Sequence, residues 1–166
     1  RHVAGASGQP MPILVRRNND PCIEAAIAQA RCTYAGATYD KKDIAGFAAA
    51  VRAGQGVFYV PDQNAARRTV FVPFLGVQAA TLGAIGGVLQ RAGGRVLLMW
   101  ARRDADGRQH IDLQPAWAGW PAADDADTAA RYMAWIGERL QAAPEQYLWV
   151  HRRFKTRPPG EPPVYR

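Results

Sequence analysis

The chain has 166 residues, enough for a domain that buries about two-thirds of its unfolded surface. Apolar residues make up 48% and charged residues 21%, a balance that excludes bulk disorder. Lys and Arg total 21 against 14 Asp and Glu, and a formal charge of +7 suits an anionic partner: a phospholipid surface, a phosphorylated substrate, an acidic carrier protein or nucleic acid. No run of about eighteen apolar residues is present, so no bilayer-spanning helix is expected. The opening at Arg1, with neither Met nor a charged-then-apolar leader, reads as a portion of something longer.

Met11 to Arg16 reads as a short buried strand. Asp20-Pro21 follows as N-cap and first helical residue, and Ile23, Ala26, Ile27 and Ala30 recur at helical spacing in a helix expected to end near Gly36. Cys22 and Cys32 fall on that one helix, ten residues apart, so they cannot bridge each other. A second helix is expected from Asp43 to Gly54, with Ile44, Phe47, Ala48 and Val51 on one face. Val57 to Val60 reads as a strand stopped by Pro61, and Val70 to Phe74 as extended chain before a turn at Gly76. Thr81 is expected to cap a helix bearing Leu82, Ile85 and Leu89, in which Gly83, Gly86 and Gly87 each cost about 1 kcal/mol relative to alanine. Asp106-Gly107 joins two strands, Arg95 to Arg103 and His110 to Pro115, as a hairpin. A last helix runs from about Asp127 with Ala129, Met133, Ile136 and Leu140 inward, and Tyr147 to Val150 is a final apolar segment. Alternating helices and strands predict an α/β fold, a mainly parallel sheet flanked by helices. Residues 158–166, rich in proline, are expected to form an extended tail behind a single domain ending at Arg157.

Asp62 follows a strand end, where open α/β sheets bind ligands; the structural alternative is a turn in which its carboxylate bonds nearby backbone amides. Arg16 and Arg17 also follow a strand end. Arginine grips phosphate or carboxylate in a planar fork, and an Arg16–Asp62 ion pair is the competing structural role. His151 to Arg157 packs Arg152, Arg153, Lys155 and Arg157 around Phe154, after an apolar segment containing Trp149. Such a run fits anionic lipid, a phosphosugar or nucleic acid; otherwise it is a solvated basic terminus. His110, in a hairpin strand, reads as structural. Two cysteines and three histidines without ligand spacing predict no metal site. Neither a phosphate-binding glycine loop nor a nucleophile elbow is present.

Three segments together resemble one family. They are VPDQ at 60–63 with VFVPFLG at 70–76, Ala79-Ala80-Thr81, and EQYLWVHRRFKTRPPGEP at 145–162. The last is highly specific and is similar to the lauroyl and myristoyl acyltransferases of lipid A biosynthesis. ILVRRNNDP at 13–21 resembles a further family segment whose arginine aligns with Arg16. The resemblance implies a fold like the glycerol-phosphate acyltransferases, with this chain as the C-terminal portion of the acyltransferase domain (residues 1–157). It implies transfer of a fatty acyl group from acyl carrier protein, or acyl-CoA, to a hydroxyl of a lipid A precursor. The setting would be the cytoplasmic face of the bacterial inner membrane, with an anionic membrane surface, no cofactor and no nucleic acid. It makes Arg16 and Asp62 catalytic-site residues, and turns Arg152, Arg153, Lys155 and Arg157 toward phosphates. A histidine in a His-x4-Asp/Glu motif is the family's general base. His2 is not that residue, because Ser7 stands where the carboxylate belongs; the resemblance implies that the motif precedes Arg1. The competing readings are a non-catalytic membrane- or carrier-binding module, an acyltransferase for another membrane glycolipid, and a nucleic-acid binder resting on charge alone.

Overall fold

The computed structural model describes residues 8–40 and 42–165. The chain forms two compact units, Arg1–Val60 with Arg91–Gly94, and Pro61–Gln90 with Arg95–Arg166. Both mix helices with small sheets, so the α/β class holds.

The first unit carries strand β1 (Ile13–Val15), helix α1 (Pro21–Cys32), strand β2 (Thr38–Asp40) and helix α2 (Ile44–Arg52). β1 pairs with β2 in parallel, Ile13 opposite Thr38, and a single parallel bridge joins Ile13 to Phe58. The strand expected over Val57–Val60 is reduced to that bridge, with Phe58 donating to Pro12 O and accepting from Leu14 N. α1 begins where Asp20 and Pro21 predict, the Asp20 carboxylate accepting from the amides of Cys22 and Ile23. It ends at Cys32, earlier than expected, and both cysteines on it are free and exposed. α1 buries none of its residues, so the apolar residues Ile23, Ala26, Ile27 and Ala30 at helical spacing fill no core. α2 is the unit's packing helix: Asp43 caps it on Gly46 N, Phe47, Ala48 and Ala50 are buried, and the Phe47 ring meets Tyr59 edge-on at 6.2 Å. Gly94 closes the unit, since a Cβ there would stand 2.3 Å from Val51 Cγ1.

The second unit is built on antiparallel pairs. β3 (Thr69–Phe74) runs against β4 (Val77–Leu82), and β5 (Leu97–Arg103) against β6 (Gln109–Pro115). The mainly parallel sheet of the sequence reading is therefore not what these strands form. The reason lies at Leu75-Gly76, where both residues have positive φ, 51° and 79°, the two-residue turn that folds a strand directly back on itself. Helix α3 spans Ile85–Ala92 and helix α4 spans Asp125–Leu140. Thr81 does not cap α3; it is buried in β4, and Gly83 lies before the helix rather than in it. Alanine favours helix, and at Ala79 and Ala80 pairing with β3 overrides that weak preference. α4 packs on β3 and buries Thr128, Ala129, Tyr132, Met133, Gly137 and Leu140. Trp135 of α4 meets Trp100 of β5 edge-on at 6.2 Å. With Val72, Phe74, Ala79, Ala80 and Phe154, these side chains form the core. No helix among the described residues is long and apolar enough to cross a membrane.

Candidate functional site

The site grows from an edge. In the β3–β4 ladder Pro73 faces Gln78 and Phe71 faces Ala80. Proline has no N–H to give, so Gln78 belongs to a pair without ladder hydrogen bonds, and the carbonyls of Gln78 and Ala80 point to β4's outer edge. An open strand edge is a liability that folds cover. Here two arginines of the C-terminal segment cover it. Arg157 Nη1 donates to Gln78 O at 2.5 Å and Arg153 Nη1 donates to Ala80 O at 2.6 Å. Arg157 also donates to Pro162 O and to the Glu161 carboxylate, which ties residues 158–162 back onto the segment.

Arg153 is 1% exposed, a charged side chain inside the core. Its Nη2 donates to Thr81 Oγ1 at 2.7 Å and lies 3.7 Å from Met133 Sδ, and its guanidinium carbon sits 5.7 Å from the centre of the Phe74 ring. Its Nε has no partner. Burying a guanidinium this deeply costs several kcal/mol unless carbonyls, hydroxyls and negative charge replace water. Burial pulls the Arg153 pKa below the ordinary arginine value, while Tyr147, Tyr132, Asp62 and Tyr165 act against that pull.

Asp62 reaches this neighbourhood because Asn64, two residues on, clasps the basic segment. Asn64 N donates to His151 Nε2 at 3.0 Å, Asn64 Nδ2 donates to Thr156 Oγ1 at 3.1 Å, and Thr156 N donates back to Asn64 Oδ1 at 3.2 Å. Ala65 N shares the Ala80 carbonyl with Arg153, and Tyr132 Oη donates to Pro61 O at 3.3 Å. Asp62 is thus flanked by fixed backbone on both sides, and its Oδ1 is buried without a hydrogen-bond partner. The turn in which its carboxylate would bond nearby amides is not formed. Burial, then the negative charge of Asp62, raises the Tyr147 phenol above its ordinary value. A half-buried carboxylate with an unused lone pair, within the field of a buried cation and of a phenol, is equipped to hold a hydrogen-bond donor.

The sequence-predicted residues separate into three groups. Asp62 and Arg153 form no ion pair, and the carboxylate acts on the guanidinium only through its charge. Arg16 lies in the other unit, exposed after β1, where its Nη2 donates to Asn19 Oδ1 at 3.1 Å. Of the basic run, Arg153 and Arg157 turn toward the protein, whereas Arg152 and Lys155 are exposed, Arg152 standing 5.8 Å over the Tyr165 ring. Sequence reasoning missed Tyr147, Tyr132, Asn64 and Thr81. The one signal available was Phe154: an aromatic inside a run of cations implies that one side of the run is buried.

The model of the bacterial lipid A biosynthesis acyltransferases matches residues 3–156. The chain belongs to this family. Among curated members it is 37% identical over 155 residues to the lipid A biosynthesis lauroyltransferase of Escherichia coli (strain K12), covering 90% of this chain and 50% of that protein. It is 36% identical over 164 residues to the lipid A biosynthesis palmitoleoyltransferase of the same organism, covering 95% and 52%. To the lipid A biosynthesis myristoyltransferase of that organism it is 30% identical over 166 residues, covering 97% and 51%. The chain spans about half the length of the curated relatives it matches. Arg16, Asp62, Arg152, Arg153 and Lys155 fall inside the stretch that matches the acyltransferase family, and Arg157 lies one residue beyond it.

Proposed function

We propose that this chain is part of an acyltransferase that moves a fatty acyl group from acyl carrier protein, or from acyl-CoA, to a hydroxyl of a lipid A precursor. The site of action in this reading is the cytoplasmic face of the bacterial inner membrane, and no cofactor takes part beyond the acyl donor. The observation that carries the reading is the family match over residues 3–156. The half-buried Asp62 carboxylate, within electrostatic reach of the buried Arg153, supports it chemically.

Acyl transfer from a thioester to an alcohol needs a base on the hydroxyl, a group that holds the hydroxyl in line, and positive charge near the developing oxyanion. In this reading the half-buried Asp62 carboxylate accepts a hydrogen bond from the acceptor hydroxyl or from an ordered water beside it. Arg153 supplies fixed positive charge from inside the core. Arg16 grips a phosphate or stabilises the thioester oxygen. Arg152 and Lys155 face phosphates of the lipid A precursor or of the membrane. The base is a histidine of the family's His-x4-Asp/Glu motif, contributed from outside residues 1–166: five places after His2, His110 and His151 stand Ser7, Pro115 and Thr156. The complete domain in this reading has the glycerol-phosphate-acyltransferase-like architecture.

The test is acyl transfer with an acyl carrier protein thioester and a lipid A precursor, by the 166-residue chain and by a full-length enzyme. Transfer by the full-length enzyme alone is expected. Transfer by neither, with both folded, rejects the acceptor assignment.

A further inference from the structure

The basic segment is sorted. Two of its cations, Arg153 and Arg157, turn in to cap the β4 edge. What stands outward just ahead of them is not polar: Leu148, Trp149 and Val150 are 61%, 52% and 86% exposed. They sit on a tight turn held by its own backbone, Trp149 N donating to Tyr147 O at 2.8 Å and His151 N to Leu148 O at 2.9 Å. Trp149 is fixed as well. Its indole N–H donates to Pro144 O at 2.6 Å, and its ring meets Tyr147 edge-on at 4.9 Å. The indole's polar atom is therefore satisfied within the protein while half of the side chain faces outward. Arg152 and Lys155, both exposed, follow within a few residues.

We propose that the Leu148–Trp149–Val150 turn is an interfacial wedge that seats this unit on an anionic lipid bilayer, with Arg152 and Lys155 at the lipid phosphates. Consecutive large apolar side chains projecting from a rigid turn bear a persistent hydration cost in water, which the acyl boundary of a membrane removes. Cations beside that tip meet the negative surface potential of such a leaflet. A protein partner fits less well, because a stable protein interface takes about 800 Å² from each side and a three-residue tip supplies far less. The wedge deepens the proposed membrane location of the acyltransferase and rests on it only for place. Vesicle binding is measured with neither acyl donor nor acceptor, so either proposal can fail without the other.

The experiment is flotation of the 166-residue chain with vesicles of phosphatidylcholine mixed with phosphatidylglycerol, and with phosphatidylcholine alone. Two double variants accompany it, Leu148→Ser with Val150→Ser, and Arg152→Gln with Lys155→Gln; circular dichroism checks that each is folded. The wild-type chain is expected on the anionic vesicles. Partitioning should fall on the order of tenfold in the apolar variant, and about fivefold for each cation removed, a difference that added salt erases. Failure of the wild type to float overturns the proposal, as does equal flotation of the Leu148/Val150 variant. Self-association of the wild type that this variant abolishes, without vesicle binding, makes the tip a contact between copies and also overturns it.

Discussion

Helices α1 and α4 begin in the same way and end up in opposite situations. Each is capped by an aspartate, Asp20 or Asp124, whose carboxylate accepts from two amides of the first turn. Each carries apolar residues at helical spacing. α4 buries Met133, Tyr132 and Leu140 against β3, whereas α1 buries nothing and leaves Ile23 exposed. Local signals therefore decide that a helix forms and where it starts. Whether its apolar face becomes core depends on what the rest of the chain sets opposite it.

The largest effects are expected where the second unit has committed a charge to its core. Arg153→Ala should cost about 2–5 kcal/mol in denaturant unfolding, since it opens a cavity in the core and strips Thr81 and Ala80 of a donor. Arg153→Met, filling the same volume without the guanidinium, should cost visibly less; equal costs would mean that the hydrogen bonds to Ala80 and Thr81, and not packing, hold this position. Next comes the direct contrast between the helices. Met133→Ala should cost about 2–5 kcal/mol, and Ile23→Ala on α1 no more than about 0.5 kcal/mol. Similar costs for the two would show that α1 has a packed face after all.

The caps sharpen the comparison at a smaller scale. Removing either, Asp20→Ala or Asp124→Ala, should cost about 1 kcal/mol. The Asp124 variant should shift the unfolding midpoint of its unit. The Asp20 variant should instead lose far-UV helical signal and amide-exchange protection in residues 21–32 with the midpoint unchanged. The smallest effect is electrostatic. Burial first, and Asp62 second, keep Tyr147 protonated at pH values where an unfolded tyrosine, with a pKa of about 10, has ionised. The folded state then holds more protons than the unfolded one, so stability falls as pH rises above about 10. Ultraviolet titration should show a late-ionising phenol that Tyr147→Phe removes and Asp62→Asn moves down.

Helix starts were legible because capping is local: Asp20-Pro21 and Asp43 act within a few residues of themselves. The β5–β6 hairpin was legible from Asp106-Gly107. β4 was not, because Val77 to Leu82 is alanine-rich and becomes a strand only through pairing with β3. The turn that imposes that pairing is Leu75-Gly76, of which Gly76 alone gives a signal. In the candidate site, Asp62 was found by its place after an apolar stretch, and the basic run by composition. Which cations turn inward was not legible, since it depends on the β4 carbonyls of Gln78 and Ala80 and on the Asn64 clasp, contacts spanning 72 to 92 residues of sequence. The mainly parallel sheet was inferred from helix–strand alternation, a pattern that cannot see a two-residue turn reverse the chain.

In the proposed reaction the role of the Asp62 carboxylate is to work on the acceptor rather than on the fold. Its most direct test is turnover by a full-length enzyme carrying Asp62→Asn, an isosteric change, with thermal unfolding measured on the same sample. Turnover should fall on the order of a hundredfold while the unfolding midpoint stays within a few degrees of wild type. Normal turnover in a folded Asp62→Asn enzyme would contradict that role and leave the half-buried carboxylate a structural group.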